Sequence, residues 1–208
     1  EQNCAVVTPR ISSALLEQAV DACSSWDPED PSHEIEVRFV DVTPQFFNHA
    51  KSMLDAYGGW DEPVTPTTIS DVFHSTGVRT RRCGSTVFHV RKERVGLANL
   101  DFVPGPNEHP DFPRKLRLCH ARERQVQVAN GVVEVENIRK QRRVSYQCRG
   151  FRIDLSVVKM GADLKTVENT DPTFHVEIEI DKARRGCVGT TVMSLLMKAL
   201  GFCCDDAT

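Results

Sequence analysis

Two stretches far apart in the chain each carry glutamates two residues apart, Glu34/Glu36 and Glu177/Glu179. On an extended strand such residues share a face, so each pair points one way. Brought together, four carboxylates repel one another unless a cation neutralises them. Their oxygens are hard ligands that suit Mg²⁺ or Mn²⁺. Other extended stretches carry the opposite sign: Arg79/Arg81, Lys115/Arg117 and Arg152. Facing the carboxylates, they suit a polyanion such as a triphosphate. Any one of these stretches alone reads as the wet face of an antiparallel sheet. A wet face has no reason to sort its charges by strand, and that sorting points to a built interior.

The elements that must hold these residues follow from periodicity. Residues 33–41 alternate Glu34, Glu36 and Arg38 against Ile35, Val37 and Phe39. Residues 173–181 alternate His175, Glu177, Glu179 and Asp181 against Phe174, Val176, Ile178 and Ile180. Both are strands with one charged and one apolar face. A strand at about 78–82 turns at Gly84-Ser85 into a return strand at 86–95. With Phe88 and Val90 read as outward, alternation favours Arg91 over Lys92 on the inside, unless a bulge reverses it. Residues 115–128 are strand-like, followed by an Asn130-Gly131 turn and a short stretch at 132–135. Residues 142–148 and 151–158 form a strand pair turned at Arg149-Gly150. Residues 65–77 read as irregular, 159–172 as polar loop, and 103–113, with four prolines, as loop.

Three helices are expected. The first runs from about 12 to 26, with Leu15, Leu16, Ala19, Val20 and Cys23 at helical spacing. The second follows a Thr43-Pro44 cap and ends at Gly58-Gly59, with Phe46, Phe47, Ala50, Met53, Leu54 and Tyr57 on one face. The third spans about 190–201. These helices supply the cover that the apolar strand faces need. The consistent picture is a closed barrel with a charged interior and an apolar outer surface, the inverse of a packed small barrel.

Composition sets the bounds. A chain of 208 residues with 40% hydrophobic content suits one domain, 1–208, and excludes wholesale disorder. No apolar run approaches the length of a bilayer-spanning helix, so no membrane partner is expected. A net charge of −3 argues against binding nucleic acid by bulk charge and leaves a local basic site open. Eight cysteines without a CxxC pair give no zinc-ribbon or thioredoxin signal and suggest a reducing, intracellular setting. Cys203-Cys204 reads as the end of a packed helix.

In order along the chain stand HEIEVRF at 33–39, RLCHARE at 117–123, RVSYQ at 143–147, FRIDLS at 151–156 and FHVEIEI at 174–180. This series resembles the triphosphate tunnel metalloenzymes, in their fungal and protist branch of metal-dependent mRNA-capping RNA 5′-triphosphatases. The resemblance covers about residues 33–181. It implies an α+β fold, a closed antiparallel barrel of about eight strands forming a tunnel flanked by helices. It implies hydrolysis of the γ-phosphate of 5′-triphosphate RNA to a diphosphate end, with a nucleoside triphosphatase side activity and Mg²⁺ or Mn²⁺ as cofactor.

Residue by residue, the resemblance makes Glu34, Glu36, Glu177 and Glu179 the metal site. Arg152 becomes a phosphate-binding arginine with Asp154 as its companion, and Arg143 a basic tunnel residue. Glu123 becomes the glutamate that orients or deprotonates the attacking water. Arg79, Arg91, Arg117, Lys140 and Arg142 are the further substrate-binding candidates. The chain departs from the pattern at His175, where a third glutamate often stands, and at Gln141, where an inward lysine is expected between Lys140 and Arg142. Implied partners are 5′-triphosphate RNA, nucleoside triphosphates and an RNA guanylyltransferase, in the nucleus. The alternatives are another tunnel phosphohydrolase acting on inorganic or thiamine triphosphate, or a non-catalytic polyphosphate- or RNA-binding barrel. Arg38, where those hydrolase relatives usually carry lysine, argues against the first.

Overall fold

The computed structural model describes residues 12–101, 111–128, 134–148, 150–180 and 187–203. The turns expected at Asn130-Gly131 and Arg149-Gly150, most of the proline-rich loop, Asp181 and the Cys203-Cys204 pair fall wholly or partly outside those residues. The elements run α1 (Ser13–Ala22), β1 (His33–Phe39), α2 (Pro44–Ala56), β2 (Pro66–His74), β3 (Val78–Cys83), β4 (Thr86–Asp101), β5 (Lys115–Gln125), β6 (Val135–Cys148), β7 (Phe151–Gly161), α3 (Leu164–Asn169), β8 (Thr173–Ile180) and α4 (Val188–Leu200).

The eight strands close into an antiparallel barrel in the order β1-β5-β4-β3-β2-β6-β7-β8. The first and last strands are neighbours, with Glu36 opposite Glu179 and Arg38 opposite Glu177. That pairing brings the two distant glutamate pairs together. The β1–β8 seam lies across the barrel from β2 and β3.

The core sits outside the barrel. Ile35, Val37 and Phe39 of β1, Leu116 and Leu118 of β5, Ile153 and Leu155 of β7, and Val176 and Ile178 of β8 are buried together with apolar residues of α1, α2 and α4. Their strand neighbours on the other face are the charged residues. Local chemistry starts the helices as expected: the Ser12 hydroxyl accepts from the amide of Leu15 (3.2 Å), and that of Thr43 from the amide of Phe46 (3.1 Å). A bulge between Arg94 and Gly96 resets the inward parity of β4. Gly96 faces α1 so closely that a Cβ there would lie 1.6 Å from the Ala22 carbonyl oxygen.

Several expected boundaries change. Residues 66–74, read as irregular, form β2 and close the barrel between β3 and β6. The expected polar loop 159–172 holds the last residues of β7 and the short helix α3. β6 begins at Val135, seven residues before the strand expected at 142–148; of the short stretch expected at 132–135, residues 132–133 lie outside the described residues. The first helix stops at Ala22 rather than near Trp26.

Candidate active site

The seam strands carry the carboxylates because their other faces are committed to the core. Like charges directly opposite on neighbouring strands oppose sheet formation, so the Glu36–Glu179 pair is a cost that packing alone does not call for. Cations partly offset it. Lys92 donates to Glu34 (2.9 Å) and Glu36 (3.4 Å), Arg152 to Glu179 (2.5 Å), and Arg38 to Glu177. Burial pushes the Glu179 carboxyl up; Arg152 opposes this, Glu34 and Glu36 add to it, and the result is about 7. Burial acts on Glu177 too, but Arg38 and then Arg143 outweigh it and hold that carboxyl below its usual range. The ammonium of Lys92 is held above its usual value by Glu36 and Glu34 despite burial.

Two further carboxylates organise the basic strands. Asp154 on β7 accepts from Ser145 (2.6 Å), Arg143 (2.9 Å) and Arg152 (3.3 Å). Across the barrel from the seam, the fully buried Asp71 of β2 accepts from Arg81 (2.8 Å) and from Arg139 (3.0 Å). Burial raises the Asp71 carboxyl, yet these two guanidiniums bring it below its usual range. On β5, Glu123 accepts from Arg79 (2.6 Å).

The enclosed space measures about 270 Å³ and is lined by nine lysines and arginines against six carboxylates. The tunnel is therefore cationic in a chain whose net charge is −3. The Nε–H groups of Arg38 and Arg79 are buried with no hydrogen-bond partner among the described residues. Orphaned cationic donors inside a cavity invite an anion. For a divalent cation, the donor chemistry fits: Glu34, Glu36 and Glu179 are oxygen ligands with mutual repulsion to relieve. As the side chains stand, no three acidic, histidine or cysteine groups among the described residues converge closely enough to cage an ion. Lys92 and Arg152 occupy the oxygens that would have to turn toward it.

Of the residues singled out in the sequence, Glu34, Glu36, Arg79, Arg117, Glu123, Arg143, Arg152, Asp154, Glu177 and Glu179 all line this cavity, as does His175. Three do not. Arg91 faces outward and Lys92 inward, because Val90, taken as outward, lies on the inner face opposite Arg79. Lys140 also faces outward and meets Glu168 on α3 (3.2 Å). Arg142 is exposed on the same outer face. The inward residues of β6 are Arg139, Gln141 and Arg143. With its amide oxygen turned inward, Gln141 accepts from Ser156 (2.7 Å) and from Arg143 (2.9 and 3.0 Å).

Sequence reasoning missed Asp71, Arg139, Arg94 and Lys92 as interior residues. The signal for Asp71 was weak, since β2 lacks clean alternation. Arg139 was within reach of the parity argument once Arg143 was placed inward, four residues on.

The sequence matches no protein-family model and no curated protein. A closed eight-strand barrel around a charged tunnel is nevertheless a specific architecture, and solved structures share it. The Pct1 RNA triphosphatase of S. pombe superposes with a TM-score of 0.62 at 18% identity, over 93% of this chain and 91% of that one. Pct1 in complex with the Spt5 CTD gives 0.65 at 17% identity, over 96% of each chain. The RNA triphosphatase domain of the mimivirus mRNA capping enzyme gives 0.64 at 12% identity, over 93% and 99%. This chain has the fold of those RNA triphosphatases.

Proposed function

We propose that this protein is a metal-dependent RNA 5′-triphosphatase that removes the γ-phosphate from 5′-triphosphate RNA, the first step of mRNA capping. The observation that carries the reading is the β1–β8 seam: opposed carboxylates inside a tunnel that is otherwise cationic. That combination suits a divalent cation and a phosphate chain bound together. The shared fold with solved RNA triphosphatases supports the same reading.

Glu34, Glu36 and Glu179 would hold Mg²⁺ or Mn²⁺, with Glu177 beside them. The ion would supply Lewis-acid neutralisation of the γ-phosphate. Arg152, Arg143 and Arg38 neutralise the remaining phosphate charge, and Asp154 fixes the first two in place. Glu123, anchored by Arg79, orients water at the β1-start end of the tunnel and takes its proton. The water oxygen bonds to the γ-phosphorus as the β–γ bridging oxygen leaves with the electron pair, giving a diphosphate end and inorganic phosphate. Positioning and charge stabilisation carry most of such a reaction. We assign the whole chain, 1–208, to one tunnel domain, acting in the nucleus beside an RNA guanylyltransferase.

The test is release of labelled γ-phosphate from RNA with and without Mg²⁺ or Mn²⁺, beside ATP and inorganic triphosphate. Metal-dependent release from RNA that leaves a diphosphate end supports the proposal. Cleavage of inorganic triphosphate alone would replace it with a simpler phosphohydrolase.

A further inference from the structure

The tunnel has two unlike ends. At the end where β1 starts stand Glu123 and Arg79. At the other, Arg38, Arg117 and His175 line both the tunnel and an adjoining surface groove. Glu123 and Arg117 lie six residues apart on β5, roughly 20 Å at strand rise. The groove wall is apolar, formed by Val40, Val42, Pro44, Pro172 and Phe174, with Asp41 among them.

Asp41 is unusual. It is the non-glycine residue with positive φ (58°) among the described residues, and its exposed carboxylate has no partner there. Backbone in this region is sparsely populated and collects at ligand contacts.

Displacement in line sets the direction of the substrate. Water held by Glu123 approaches the γ-phosphorus from the β1-start end, so the leaving diphosphate must point toward Arg38 and Arg117. Whatever is attached to it emerges into the groove. We propose that this groove is a nucleoside subsite. In it the base of the first nucleotide lies against the apolar wall, and Asp41 accepts a hydrogen bond from the ribose 2′-hydroxyl. In an RNA chain the 3′-oxygen is esterified, which leaves the 2′-hydroxyl as the free ribose donor. The wall is predominantly apolar, so the subsite reads the ribose rather than the base and selects ribonucleotide ends. This inference rests on the triphosphatase reading of the tunnel.

The experiment compares ATP, dATP and inorganic triphosphate as substrates of the wild-type protein and of Asp41→Asn, with Mn²⁺ present. Asparagine tolerates positive φ, so the backbone is kept. With the wild-type protein, the KM for dATP should exceed that for ATP about tenfold, the effect of one lost hydrogen bond to a charged group. Asp41→Asn keeps an acceptor oxygen but loses its charge, so it should raise the KM for ATP part of the way to the dATP value and leave inorganic triphosphate, which has no ribose to place, unchanged. Pro172→Glu should weaken ATP and dATP together and spare inorganic triphosphate. Equal KM values for ATP and dATP, or an equal effect of Asp41→Asn on all three substrates, would overturn the subsite. Absence of hydrolysis with every substrate would overturn the triphosphatase reading instead. Calorimetric binding of the same three compounds then decides the subsite by the same criteria.

Discussion

The two walls of the tunnel are built by different means. The β1–β8 seam is backed by the core: Val37 and Ile178, on its outer face, are both 0% exposed under the helices. The opposite wall, β2 and β3, has no such backing along the β3–β4 hairpin, where Val87 is 47% exposed. That wall is held from inside, by Asp71 between Arg81 and Arg139. The difference is instructive. Opposed carboxylates cannot hold themselves in place, so packing behind them must. Arginines around a buried aspartate attract one another's partner and can hold a wall with little packing behind it.

The comparison can be broken at its inner support first. Asp71→Asn should destabilise by roughly 3–5 kcal/mol, because Arg81 and Arg139 then lose their buried counter-charge; urea denaturation measures it. Loss below 1 kcal/mol would show that packing holds this wall after all. On the seam, Ile178→Ala should cost about 2–4 kcal/mol by opening a cavity beneath the carboxylates, read by the same titration.

Glu36→Gln acts on the inner face of the same seam, on β1. It should lower metal-dependent turnover by about 100-fold or more while leaving the melting temperature without metal unchanged or higher, since it removes a like charge from the seam. A lower melting temperature would mean the carboxylate is there for structure.

The pH dependence of stability is a further signature of the seam. Glu179 titrates at about 7 in the folded protein, above its ordinary carboxylate value of 4.5. Between those values the folded state binds more protons than the unfolded one, so its contribution to stability falls as pH rises from about 4.5 to 7 and is level above. Subtracting the profile of Glu179→Gln from that of the wild type isolates this slope. The smallest effect is expected on the unbacked wall, where Val87→Ala should change stability by less than about 0.5 kcal/mol.

Much of the interior was legible in the sequence because β1 and β8 alternate without interruption. Wherever one face is buried under helices, parity is enforced and can be read directly, as at Glu34, Glu36, Glu177 and Glu179. β4 obscured its parity because Val90 sits on the inner face, so the apolar-out rule selected Arg91 where Lys92 points in. β6 offered five charged or amide side chains in a row from 139 to 143, with no apolar residue to mark the outside. β2 was missed because its outer face meets little of the core, so no hydrophobic rhythm was needed to form it.

What the sequence determined by itself is local: which residues share a strand face, where helices start, and that two carboxylate pairs exist. Tertiary structure decided that Glu36 faces Glu179 across a seam joining residues more than 140 apart, that Asp71 gathers two arginines from different strands, and that the tunnel opens into a groove beside Asp41. Side-chain parity follows from the geometry of one chain segment. Register between distant strands is set only when the barrel closes and all eight strands satisfy one another's hydrogen bonds at once.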